Sequence, residues 1–191
     1  MIFDDCDFHG DQKQQLPNML NISGYKFLIL YKCIFSNISF SPSPERNIIM
    51  NVLNLNKVLL KSCMVKALKN VALLLQAKNT SHLSMFNVSL QKLDNYLSAE
   101  ALLRFEMIKS IKFTALHFSK IEKSLFTLQK VDKASFKDSV FFLCSPKIFS
   151  VLSGRIVTLL SIMNTQVTGC AKNISGPIFK LKNTQLHIYN C

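Results

Sequence analysis

Apolar and polar residues alternate with a period of two in short runs along nearly the whole chain. Near its end, Phe179-x-Leu181 and Leu186-x-Ile188 flank a polar turn, and Tyr189-Asn190 leads into an apolar Cys191. The same arrangement stands upstream as Phe126-x-Leu128 with Ala134-x-Phe136, and as Phe149-x-Val151 with Val157-x-Leu159. Successive side chains of a strand leave opposite faces, so this alternation predicts half-buried β-strands. Aligned on the second run, the units begin at Cys6, Cys33, Val58, Leu83, Ile111, Ala134, Val157 and Leu186, in steps of 27, 25, 25, 28, 23, 23 and 29 residues. Two places on stand Phe8, Phe35, Leu60, Met85, Phe113, Phe136, Leu159 and Ile188, all large and apolar. Four places on stand Gly10, Asn37, Ser62, Asn87, Ala115, Asp138, Ser161 and Asn190, small or turn-forming throughout.

A repeat of this length means a solenoid. One winding per repeat stacks equivalent strands in parallel, about 4.8 Å apart, and sends each aligned set into one interior column. A third apolar segment follows the turn residue, as in Cys63-x-Val65, Val88-x-Leu90 and Leu116-x-Phe118. Three strand segments per coil predict an all-β, single-stranded parallel β-helix of about seven to eight coils over residues 1–191. It reads as one domain, a fragment of a longer array or a segment within one. The phrase Gly176-Pro-Ile-Phe-Lys-Leu-Lys-Asn-Thr-Gln-Leu-His-Ile-Tyr-Asn-Cys191 resembles the right-handed, pectin-lyase-like β-helix repeats of large ciliate surface proteins. The resemblance implies a right-handed coil. The alternative is a leucine-rich-repeat solenoid, whose template fits Leu55-x-x-Val58-x-Leu60-x-x-Cys63-x-Val65, although most units alternate without helical spacing. Ser41–Arg46 and the region from Asp11 to Leu20 are expected to be loops, and Asp94 to Leu102 a helical turn or two.

Composition narrows the class. Apolar residues make up 49% of the chain, which excludes a disordered tail. No apolar run approaches the roughly 18 residues of a spanning helix. The acidic start, Met1-Ile-Phe-Asp-Asp-Cys-Asp, has none of the basic-then-apolar order of a signal peptide. A net charge of +12 favours acidic partners.

Candidate chemistry is sparse. The residues between the inward positions face out: Asp7, Ile34, Leu59, Ser84, Lys112, Ser135, Thr158 and His187. Enzymes that cleave polysaccharides on such a fold cluster titratable side chains on an outward face, and no two carboxylates here share an outward column on adjacent coils. Asp132 and Asp138 share a coil but occupy different turns. None of His9, His82, His117 and His187 stands at metal-ligand spacing, and His117 and His187 are expected to face solvent. No catalytic residue, cofactor or metal site is read.

Basic residues recur before the aligned strand, at Lys57, Lys109, Lys133 and Arg155, and stacking makes them a candidate polyanion-binding strip. Most phenylalanines fall on inward positions, which disfavours nucleic acid. Asn21, Asn37, Asn79, Asn87 and Asn173 open glycosylation sequons, consistent with an extracellular or cell-surface array. Cys6 and Cys33 hold one inward slot on neighbouring coils. Cys63 and Cys191 hold another five coils apart, about 24 Å, and free thiols acting as small core hydrophobes are expected. The function expected is a structural or adhesive scaffold without catalysis, meeting acidic polysaccharide or protein partners, or further copies through the solenoid ends. The alternative is a carbohydrate-active enzyme or carbohydrate-binding module on the same fold.

Overall fold

The computed structural model describes residues 1–11, 18–40, 47–94, 101–121, 125–143, 152–169 and 179–191. The first winding gives β1 (Ile2–Asp4) and β2 (Asp7–Asp11). The second gives β3 (Asn18–Ser23), β4 (Phe27–Tyr31) and β5 (Ile34–Ser39), and the third gives β6 (Ile48–Leu53), β7 (Lys57–Lys61) and β8 (Met64–Lys69). From there the first two strands of each winding run together. The pairs are β9 (Leu73–Phe86) with β10 (Ser89–Asp94), β11 (Leu103–Thr114) with β12 (His117–Ser119), β13 (Phe126–Lys137) with β14 (Val140–Leu143), and β15 (Leu152–Met163) with β16 (Gln166–Gly169). β17 (Phe179–Tyr189) follows alone.

Every strand pair is parallel, and neighbours in space are one winding apart in sequence. A first face stacks β1, β4 and β7 on the later halves of β9, β11, β13, β15 and β17. A second face stacks β2, β5, β8, β10, β12, β14 and β16. A third carries β3, β6 and the earlier halves of the long strands. The fold is an all-β parallel solenoid with no helix among the described residues. A β-strand therefore stands on the second face, where the leucine-rich-repeat alternative has its helix or irregular segment.

From Leu28 to its equivalent Leu160 the chain makes about five full turns, fewer than the seven to eight coils read from the repeats. The windings that carry β1–β2 and β17 are partial. The expected loop between Asp11 and Leu20 is shorter than that range, since β3 already begins at Asn18. Residues 12–17, and the loop expected at 41–46, lie outside the described residues. Asp94 ends a strand where a helical turn was expected, and 95–100 lie outside the described residues.

The interior register holds where the repeats are most regular. Val58, Leu83, Ile111, Ala134 and Leu186 share one inward column, and Leu60, Met85, Phe113, Phe136 and Ile188 the next. Three units need correction. Leu28 and Leu30, not Cys33 and Phe35, pair with Val58 and Leu60. Phe8 and Phe35 belong to the second face, stacked on Val65. In the seventh winding Leu160 and Ile162, not Val157 and Leu159, continue the columns, since they pair with Ala134 and Phe136, and the register shifts only on the side of β17, at Val157/Leu159. On the third face Leu152 and Gly154 pair with Phe126 and Leu128, and the expected run Phe149-x-Val151 lies outside the described residues.

The corners explain why small and amide residues punctuate the repeat. Asp5, Lys32, Ser62, Asn87, Ala115, Asp138, Asn164 and Asn190 all sit at φ between 46° and 55°, turning the chain from first face to second. Asn and Asp tolerate this left-handed conformation better than other side chains do. At this corner Asn164 donates through Nδ2 to Asp138 Oδ1 at 2.8 Å, and Asn190 to Asn164 at 3.4 Å. A second corner, between third and first faces, places Asn54, Asn79, Met107, Lys130, Ile156 and Asn183 at φ 53° to 58°. There Asn79 Nδ2 donates to Asn54 Oδ1 at 3.1 Å. Bonds that run up the axis from one winding to the next lock the stack in register.

Candidate functional site

The broad flat surface of the molecule is the outside of the first face, three outward columns wide. The middle column reads Ile2, Ile29, Leu59, Ser84, Lys112, Ser135, Ser161 and His187. Five of these match the expected outward set. Asp7 and Ile34 move to the second face, and Ser161 takes the place of Thr158. One flanking column runs Phe27, Lys57, His82, Ser110, Lys133, Leu159 and Gln185. The other runs Asp4, Tyr31, Lys61, Phe86, Thr114, Lys137, Met163 and Tyr189.

The expected strip of Lys57, Lys109, Lys133 and Arg155 is not a single line. Lys57 and Lys133 share a column, three windings apart. Lys109 stands one place earlier, between Ile108 and Ser110, beside the left-handed corner at Met107. Arg155 belongs to the third face, in register with Gln129 and Lys182. The corner residue inserted in each winding displaces the last two from the column. What the fold does gather is a group on the fifth and sixth windings: Lys109, Lys112, Lys130 and Lys133, all exposed. Lys112 and Lys133 are diagonal neighbours, about 7–8 Å apart by strand geometry. None of the four is in an ion pair with another described residue, whereas Lys137 reaches Asp138 at 3.9 Å and Lys78 reaches Glu106 at 3.3 Å. Lys112 and Lys130 were missed because neither precedes an aligned strand.

Comparison with protein-family models, curated proteins and solved structures finds no match.

Of the sequon asparagines, Asn37, Asn79 and Asn87 take the left-handed conformation, and Asn21 lies within β3. Asn21, Asn37, Asn79 and Asn87 are exposed, and Asn173 lies outside the described residues. Asn21 and Asn79 also take part in amide ladders, Asn21 accepting from Asn51 at 3.0 Å. Asp4 and Asp7 lie close in sequence but on different faces. Among the described residues no three His, Cys, Asp or Glu side chains come together as a metal site.

The cysteines are closer than the repeats suggested. Cys6, Cys33 and Cys63 follow one another on three successive windings of one corner column, which Val88, Leu116, Ser139, Thr165 and Cys191 continue. All four cysteines of this column are free. Burial raises the Cys33 thiol above its ordinary range and pushes Cys63 up to about 11. Both are therefore neutral core side chains at physiological pH.

Proposed function

We propose that the protein is a non-catalytic β-solenoid scaffold at the cell surface or outside the cell, attaching through the outer lysines of its fifth and sixth windings to an acidic polysaccharide. The observation that carries the reading is the group Lys109, Lys112, Lys130 and Lys133, exposed together from the corner at Lys130 onto the first face and outside any ion pair with described residues. A rigid sheet fixes where the lysine stems leave the backbone, so a regularly charged polymer meets ammonium groups at a repeating spacing. The pectin-lyase-like and ciliate surface-repeat resemblance of Gly176–Cys191, and the exposed sequon asparagines, support the location. Protein partners or further copies at the solenoid ends belong to the same reading.

The enzyme alternative needs two carboxyl groups about 5–9 Å apart on one outward face, and no observation favours it over the scaffold.

Charge reversal of Lys109, Lys112, Lys130 and Lys133 to Glu tests the proposal against heparin and polygalacturonate. The wild type is expected to bind both and to release them as salt rises from 50 mM toward 500 mM, while the variant fails to bind. Binding that survives both treatments makes the lysines an ordinary solvated surface.

A further inference from the structure

The same outer face changes character at its other end. On the first four windings Ile2, Phe27, Ile29, Tyr31, Leu59 and Phe86 occupy adjacent outward positions of the columns described above. Ile2, Phe27 and Phe86 are 62%, 41% and 44% exposed. Phe27, Ile29, Tyr31 and Leu59 are not core residues at a ragged edge, because the inward residues of their strands, Leu28, Leu30, Val58 and Leu60, are buried. The grid is about 14 Å along the axis, three strand spacings, and about 13 Å along the strands, four residue rises. Ser84 already breaks its middle column on the fourth winding, and the following windings carry Ser110, Lys112, Thr114 and Ser135 instead.

Cations stand within the apolar grid and at its corners. Lys57 and Lys61 stand on either side of Leu59 in one strand, and Lys26 and Lys32 lie at the two corners of the winding below. All four are exposed and none is in an ion pair with a described residue. The Lys32 and Lys61 Nζ atoms lie 5.2 and 5.4 Å from the centre of the Tyr31 ring. Asp4 and Asp5 hold one corner of the frame and leave the lysines in excess.

A flat surface with half-buried Ile29 and Leu59 at its centre, exposed Ile2, Phe27 and Phe86 at its margins, Tyr31 beside them and lysines among them matches one medium: the headgroup boundary of a bilayer that carries anionic lipid. The apolar side chains enter the acyl boundary, tyrosine prefers the interface, and long lysine stems let the ammonium groups reach phosphate. We propose that the first four windings of this face form a docking surface for an anionic lipid membrane, lying on it without crossing it. The lysine group on the fifth and sixth windings is a separate surface, so this inference does not rest on the polysaccharide reading.

Co-sedimentation of the whole chain with vesicles of phosphatidylcholine alone, or with 30% phosphatidylserine, tests it. Binding is expected only with the anionic lipid, and Lys57→Glu with Lys61→Glu is expected to weaken it by at least about tenfold. Phe27→Ser with Phe86→Ser is expected to weaken it to a similar degree while leaving polygalacturonate binding unchanged. Thermal melts confirm that both variants fold. Three results overturn the proposal: no binding to either vesicle, wild-type binding by the Phe27→Ser/Phe86→Ser variant, or a stable dimer in solution that this variant converts to monomer.

Discussion

Phe136 lies on Phe113 one winding below, with ring centroids 4.5 Å apart and planes tilted by 32°. Phe126 from the third face approaches both, at 4.9 and 5.1 Å, and Phe141 of the second face lies 5.6 Å from Phe126. All three faces thus meet in one aromatic cluster in the middle of the stack. Such rings contribute beyond the area they bury.

Truncation there is expected to be costly and specific. Phe136→Ala should lose about 3–5 kcal/mol, through lost transfer energy and a cavity that the flanking windings cannot close. Ser135→Asp, one residue away on the outer face beside Lys112, should stay within about 0.5 kcal/mol of wild type. Urea unfolding measures both, and equal midpoints for the two variants contradict the register.

Much of this register was legible because Val58, Leu83, Ile111 and Ala134 each begin an apolar-x-apolar pair followed by a small corner residue. It failed where that phrase occurs twice in one winding. Leu28-x-Leu30 and Cys33-x-Phe35 both qualify, and alternation cannot tell the first face from the second. Choosing the wrong pair hid the cysteine stack, since it placed Cys33 with Val58 when its neighbour is Cys63. In the seventh winding Ile156-Val157-Thr158-Leu159-Leu160 is apolar at almost every position, and alternation alone does not choose Leu160, which pairs with Ala134, over Val157. The lysine and apolar surfaces were illegible for a related reason. Each is assembled across windings, and a displacement of one residue at a corner moves a side chain to another column.

Ile156 offers a test of the corner itself. It sits at φ 58° in the column where Asn54, Asn79 and Asn183 adopt the same conformation. A β-branched side chain is strained there, whereas an asparagine is tolerated and can extend a ladder to Asn183. Ile156→Asn is expected to stabilise the fold by about 1 kcal/mol and to remove an exposed apolar side chain. A melting temperature equal to or below that of wild type goes against the corner assignment.

The buried thiols carry a dependence on pH whose sign follows from their environment. Burial lifts Cys63 from its ordinary 9.0 to about 11, so in that window the folded chain keeps a proton that the unfolded chain has released. Stability from this site is whole below pH 9 and declines as pH rises toward 11, by about 2–3 kcal/mol at most. Cys63→Val places in the slot the residue that Val88 already supplies one winding on, and it removes the titrating group without a large change of volume. Lysine and tyrosine titration shifts both proteins alike, so the difference between them isolates the thiol. Urea midpoints at pH 8 and pH 10.5 should show the wild type losing more stability than the variant. Peptide mapping after a brief maleimide pulse at pH 8 gives the companion measurement: label on exposed Cys191, and none on Cys33 or Cys63 until urea unfolds the chain. Parallel loss of stability in the two proteins, or rapid native-state labelling of Cys63, would show that this corner is open to water.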